Sequence, residues 1–502
     1  MKFRKAGCLL LSLILTAALL AGCGNSPATQ EETTTGEAAT QAPETAAPDT
    51  SAPAETTEAP QESESSDPAE ESTEAPTEEP TEATKEEPTE ETTETQPETE
   101  EPEEGILSRK AEEYRFVITE MEAAEGWSGQ EYQIHFLLEN KADYDLRLTW
   151  YDVNINGYMT SQIVYETADK GGTLEGTYAV YQDELDSCGI EEPEELSFLL
   201  IIQNDEDYYE DPLLSEIVTC YPTGLSAEDI KVPDRPESED EIVVVDNDKI
   251  SFIFFPEAEE GWYGKSYKVF LENKTDKSLS FSWDETCVNG YANDPVWGRV
   301  VAAGKKAIDT ISFTDTQLER CHIESFDEIS FLLKVYSARN YEDLFEERFA
   351  LYPTGKKPEE VVVPDRPESE NEKVIIDNDQ MTIIFVDEEE DSWGYHTATV
   401  YFENKSEVEL FFVFDNVEAN GQEMTAWWGN VVPAGRRSVR NLSVNNEVYT
   451  ESGKERIETL HFTLRAYDDN DLFADDILEE TEFTIDFVTE SENEAESETD
   501  SE

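Results

Sequence analysis

The side chains of this 502-residue chain that could do chemistry are few: four histidines, six cysteines, eight tryptophans and several dense runs of carboxylates. His135, His322, His396 and His461 are scattered, and none has a neighbour at metal-ligand or triad spacing. There is no Gly-x-Ser-x-Gly and no glycine-rich phosphate loop. Paired carboxylates occur throughout so acidic a chain and discriminate nothing. The expectation is therefore a non-enzymatic protein with no catalytic residue and no cofactor. Asp468-Asp469-Asn470-Asp471 with Asp475-Asp476, and Asn204-Asp205-Glu206-Asp207 with Glu210-Asp211, lack the glycine and closing glutamate of an EF-hand loop. They read as solvated loops, and no metal site is expected. Trp297 and Trp428, at equivalent places after an Asn-Gly pair, and Trp427 beside the latter, are the candidate ligand contacts. Such rings form a platform for a glycan or a protein partner if they face water, and core if they do not. The formal charge of −83 repels nucleic acid and anionic lipid surfaces alike, so nucleic-acid binding is excluded.

These residues sit in a unit used three times. Tyr267 to Lys274, Leu279 to Trp283 and Val288-Asn289-Gly290 recur as Ile134 to Lys141, Leu146 to Trp150 and Ile155-Asn156-Gly157, and as Ala398 to Lys405, Leu410 to Phe414 and Ala419-Asn420-Gly421. The copies lie about 130 residues apart, longer than the period of a solenoid, so each copy should be a domain with its own core: beads rather than a stack. Repeats are expected over 113–224, 241–355 and 373–488. Linkers fall at 225–240 and 356–372, where Val232-Pro233-Asp234-Arg235-Pro236-Glu237-Ser238-Glu239 is nearly repeated as Val363-Pro364-Asp365-Arg366-Pro367-Glu368-Ser369-Glu370. Paired prolines stiffen such a segment.

Ahead of the repeats, Met1-Lys2-Phe3-Arg4-Lys5 and the apolar run Cys8 to Leu20 have the pattern of an export signal over 1–22. Leu20-Ala21-Gly22-Cys23 resembles the lipobox of bacterial lipoproteins. That resemblance makes Cys23 the lipidated N-terminus, and two acyl chains suffice for stable anchoring without a membrane span. Residues 23–105, rich in Thr, Glu, Pro, Ala and Ser, cannot bury enough apolar area to order themselves and read as a disordered acidic stalk; the acidic tail 489–502 reads similarly. Cys188 and Cys220 in the first repeat and Cys287 and Cys321 in the second permit one disulfide each, with three connectivities open among four cysteines.

Inside a copy the period is two. Leu279, Phe281 and Trp283 alternate with serines, and Leu146, Leu148 and Trp150 with Arg147 and Thr149, which marks half-buried strands; the third copy offers Leu410, Phe412 and Phe414 at the same places. Seven or eight short strands per copy, turn signals about every ten residues and no amphipathic helix argue an all-β chain of three tandem antiparallel Ig-like β-sandwiches. The order of an Asn-Lys hairpin, an aromatic strand ending in Asn-Gly, and an Ala303-Gly304-Lys305-Lys306 or Pro433-Ala434-Gly435-Arg436-Arg437 loop resembles the Ig-like repeats of unassigned function in Gram-positive surface lipoproteins. The first copy departs from it with Asp169-Lys170-Gly171-Gly172. The resemblance implies a protein on the outer face of the cell membrane, anchored through Cys23 and projecting into or through the cell wall. There it would present sandwich modules for binding or adhesion to an extracellular glycan or protein, or serve as an envelope spacer without a specific ligand.

Overall fold

The computed structural model describes residues 105–486, except 127–128, 208, 262–263, 294, 296, 391–395, 424–427, 445–457 and 472–474. The export signal, Cys23, the stalk up to residue 104, the acidic tail, and Trp127, Trp262, Trp393 and Trp427 lie outside the described residues. The described part is nearly all β and consists of three sandwich-like repeats.

The first repeat runs β1 (Leu107–Lys110), β2 (Tyr114–Gly126), β3 (Gly129–Asn140), β4 (Leu146–Ile155), β5 (Tyr158–Met159), β6 (Val164–Ala168), β7 (Thr173–Tyr181), α1 (Gln182–Ser187), β8 (Leu196–Asn204) and β9 (Leu214–Cys220). The order repeats as β10 (Ile242–Asp246), β11 (Ile250–Gly261), β12 (Gly264–Asn273), β13 (Leu279–Val288), β14 (Tyr291–Ala292), β15 (Gly298–Val301), β16 (Lys306–Ser312), α2 (Asp315–Arg320), β17 (Ile329–Ser337) and β18 (Asp343–Leu351). In the third copy it runs β19 (Lys373–Asp377), β20 (Met381–Glu390), β21 (His396–Asn404), β22 (Leu410–Ala419), β23 (Gln422–Glu423), β24 (Trp428–Val432), β25 (Arg437–Val444), β26 (Thr459–Asp468) and β27 (Leu478–Asp486). One sheet of each repeat has the antiparallel order β1-β2-β3-β7 or its equivalent; the other has β5-β4-β8-β9, with β6 also on β4. Two short helices, α1 and α2, occur where the sequence promised none. Each is six residues long and buries one leucine, Leu185 or Leu318, too little for a helical period to show.

The alternating residues form the cores. Trp150 stacks on Phe198 at 4.1 Å and Trp283 on Phe331 at 3.8 Å, and in the third copy Phe414 packs against Phe462 at 5.1 Å. Neither indole N–H finds a hydrogen-bond partner among the described residues. The Asn-Lys hairpins are held from within. Asn273 is fully buried, and its Nδ2 donates to the carbonyls of Lys277, Val301 and Ala302 while its Oδ1 accepts from the Thr275 amide and hydroxyl. Asn140 and Asn404 repeat the arrangement, so one amide satisfies several carbonyls that burial would otherwise strand.

The Asn of each Asn-Gly pair is a second clamp. Asn156, Asn289 and Asn420 lie at φ between 43° and 51°, a region Asn tolerates. Each Oδ1 accepts two successive amides at the approach to β8, β17 or β26: Glu194 and Glu195, Asp327 and Glu328, or Glu458 and Thr459. The turn is thereby fixed against its own sandwich, and β5 and β14 leave it in a set direction.

Candidate functional site at the repeat joints

Each repeat has its own core, but the repeats are not loose beads. Tyr158 of β5 pairs parallel with Lys306 of β16, and Tyr291 of β14 with Arg437 of β25. The second sheet of one repeat thus continues into the first sheet of the next, making two nine-stranded sheets. Ile253 and Phe270 of the second repeat are buried in the core of the first, and Ile384, Val386, Tyr401 and Val439 of the third in the core of the second.

The polar part of the joint is built the same way twice. The Lys306 amide donates to the Gly157 carbonyl and the Arg437 amide to the Gly290 carbonyl, both at 3.0 Å. Tyr158 Oη and Lys306 Nζ both donate to the Pro233 carbonyl of the linker, at 3.3 and 3.2 Å. Tyr291 Oη and Arg437 Nη1 do the same to Pro364, at 3.2 and 3.3 Å. Lys305 pairs with Glu195 at 3.3 Å, and Arg436 with Glu328 at 3.0 Å. The linker arginines close the far side. Arg235 grips Glu241 with two bonds of 2.7 Å and lies over the Phe270 ring; Arg366 grips Glu372 at 2.8 and 3.1 Å and lies over Tyr401. The hydrogen bond from Arg235 holds the Glu241 carboxyl below its usual range, as Arg366 does for Glu372. Bidentate pairing of this kind fixes geometry more than it adds stability.

Glycine is required at the turn for two reasons. Gly157 and Gly290 have φ of +84° and +86°, and a Cβ on either would meet the side chain of Val232 or Val363 in the linker at 3.0–3.2 Å. Gly421 has the same backbone, at φ +75°, with nothing within 4 Å.

Among the described residues, the first and third copies each lack the half-joint on the side away from the second. Where β16 and β25 begin with Lys306 and Arg437, β7 begins with Thr173; where those strands carry the half-buried Ile308 and the buried Val439, β7 carries Glu175. This explains why the first copy departs from the basic loop. At the other end, Gln422 and Glu423 replace the Tyr158-Met159 and Tyr291-Ala292 pairs.

The cysteines also belong to this account. All four of Cys188, Cys220, Cys287 and Cys321 are buried thiols outside any disulfide, so the bridges that their even number permits are not formed. Cys188 and Cys321 end α1 and α2 and sit against the main chain of Ile308 and Val439, in the next repeat. Their alignment reflects a shared place at the joint. Burial pushes the Cys188 thiol up to about 11 and those of Cys220 and Cys321 up to about 12. These three thiols are expected to resist iodoacetamide at pH 8 in the folded chain and to react fully in denaturant; a disulfide in a non-reducing peptide map would overturn the assignment.

Trp297 and Trp428 are half-buried and pack on the cores of their own repeats. Trp297 meets Phe252 and Trp283 edge-on, and its Nε1 donates to Asp309 at 3.1 Å; Trp428 meets Phe414 at 6.5 Å. Trp427 lies outside the described residues. No group of three or more His, Cys, Asp or Glu among the described residues is arranged to hold a metal ion, and no described helix is long and apolar enough to cross a membrane. Sequence reasoning passed over Tyr158, Tyr291, Arg235 and Arg366 as joint residues. The near-identity of the two linkers was the available signal, since a mere spacer has no need of a repeated arginine.

No protein-family model and no curated protein sequence matches the chain. Among solved structures, red sea bream transglutaminase is similar over 47% of this chain and 31% of its own, at 10% identity and a TM-score of 0.14. The alpha-2-macroglobulin of E. coli is similar over 75% and 23% respectively, at 9% identity and TM-score 0.13. A beta-glucuronidase from glycoside hydrolase family 2 is similar over 67% and 38%, at 10% identity and TM-score 0.12. The chain spans only 23–38% of the length of these proteins, and likenesses at such scores carry no argument about its activity. What the chain's own geometry establishes is a series of three β-sandwich repeats docked through two joints of one design.

Proposed function

We propose that this chain is a non-catalytic, lipid-anchored surface protein whose three sandwiches are held in fixed register as a stiff spacer or display array. Cys23 would carry the lipid, and residues 23–105 would hold the repeats away from the membrane and into or through a Gram-positive cell wall. The observation that supports this reading is the joint built twice from equivalent residues. A chain of independent binding modules needs only a tether, whereas shared sheet edges, pinned linkers and paired charges serve to hold one repeat against the next. Binding or adhesion through a single repeat is the second reading. It is favoured by the outer face of β4, β6 and β9, where Tyr151, Tyr165 and Ile217 are exposed on the first repeat, at 42%, 54% and 72%.

The test is a wedge at one joint. Dyes placed through unnatural residues at Glu347 and Glu480, both exposed, are expected to report a narrow distance distribution between the second and third repeats. Gly290→Val is expected to broaden it by forcing a side chain against Val363, whereas Gly421→Val imposes the same positive-φ strain, on the order of 1 kcal/mol, and leaves the distribution narrow. Broad distributions in the unmodified protein would overturn the stiff-array reading. Cys23→Ala is expected to release the chain from the membrane fraction, and retention would overturn the lipid anchor.

A further inference from the structure

The two joints differ at one contact. In β4, β13 and β22 a bulge places Asp152, Glu285 and Asn416 at φ of 54°, 51° and 51°. At the first joint Asp152 reaches forward, and its Oδ2 accepts the Ser278 hydroxyl at 3.0 Å. At the far end Asn416 turns to its own repeat and donates to Thr463 at 2.8 Å. At the second joint the place of Ser278, just before the strand that begins at Leu410, is taken by Glu409, and the bulge residue facing it is Glu285. Two carboxyl groups therefore meet where the first joint has a carboxylate and a hydroxyl donor.

We propose that the second joint is closed by a proton shared between Glu285 and Glu409, so that deprotonation loosens the second and third repeats while the first joint stays shut. Both side chains are more than nine-tenths buried and line a cleft of about 640 Å³ between the repeats. Glu285 is within hydrogen-bonding reach of Glu409 and paired with Arg348 of β18, while Glu409 Oε2 is buried with no donor among the described residues. A carboxylate there needs a donor, and a proton on the pair supplies one.

The charges around the pair do not remove this need. Arg348 is committed to Glu285, and Lys334 of β17 to Asp284 at 2.8 Å. Arg436 pairs with Glu328 at 3.0 Å. Asp469, after β26, faces the pair and is itself pushed up by burial and by Asp468 and Glu285. Glu407 and Asp468 line the same cleft, and Glu346 faces Arg348. Burial and the neighbouring Glu285 push the Glu409 carboxyl up to about 8. In the undocked joint the carboxyl is solvated and titrates near 4.3. The docked form thus binds more protons than the open form between these values. Docking strength is full below the solvated value, falls by up to about tenfold per pH unit across the interval, and is flat above it.

This inference rests on the docked-array reading, and the full chain tests the two separately. The dye pair at Glu347 and Glu480 reports the second joint, and a pair at Glu166 and Glu347, also exposed, reports the first. At pH 5 both distributions are expected to be narrow. Raising the pH to 9 is expected to broaden only the second, with at least a tenfold loss of the docked form. Glu409→Ser, which copies the first joint, and Glu409→Gln, which keeps a donor, are each expected to abolish the pH dependence. Broad distributions at pH 5 in both pairs would sink the array reading itself. A second joint unchanged to pH 9, two joints opening together, or a Glu409→Ser chain that opens at the same pH as the parent would sink the shared proton alone. If neither variant folds, the ¹³C shift of the Glu409 carboxyl in the parent decides: titration at the ordinary glutamate value overturns the proposal.

Discussion

Trp283→Ala is expected to cost the second repeat about 3–5 kcal/mol, and Trp283→Phe less than about 2. The ring is 4% exposed, stacks on Phe331, and also touches Phe252, Phe254 and Trp297, so truncation opens a cavity that these four aromatic neighbours cannot jointly refill. Phenylalanine fills much of that space and removes an indole N–H that has no partner among the described residues. The third repeat already makes the exchange, with Phe414 at the same place. Urea unfolding followed by a probe in the second repeat measures both costs. Equal losses for Ala and Phe would mean that the indole N–H has a partner and that stacking is not the main term.

Asn273→Ala is the second large effect, about 2–4 kcal/mol for three carbonyls and an amide stripped of their partner in the interior. Asn273→Asp discriminates the cause. It keeps the acceptor that Thr275 uses, but sets a carboxylate against the carbonyls of Lys277, Val301 and Ala302. The native state of that variant would favour the protonated acid, so its stability is expected to fall as pH rises through the carboxylate range, and the Ala variant's is not. A flat profile for Asn273→Asp would show that solvent reaches the site.

Much of the fold was legible because a half-buried strand writes its period into the sequence. Leu279, Phe281 and Trp283 all face inward, and their counterparts do so in the other copies. The helices α1 and α2 were not legible, since six residues with one buried leucine leave no period. The joints were legible only as repetition. The Val-Pro-Asp-Arg-Pro linker and the basic loop stood out as copied motifs, but their partners are about 70 residues away, Pro233 for Lys306 and Pro364 for Arg437, beyond the reach of any local pattern. The cysteines left disulfides and free thiols both open for the same reason: their number permits pairing within a repeat, whereas Cys188 and Cys321 sit against the main chain of the next repeat.

By itself, the sequence determined the all-β class, the three copies, the turn residues and the acidic field, because each follows from periodicity, backbone preference or composition along the chain. The tertiary structure decided that the repeats dock, that the thiols stay outside any disulfide, that Trp297 and Trp428 pack on their cores, and that Glu285 meets Glu409. Those outcomes depend on which surfaces approach in space, and burial, not residue type, sets what each side chain can then do.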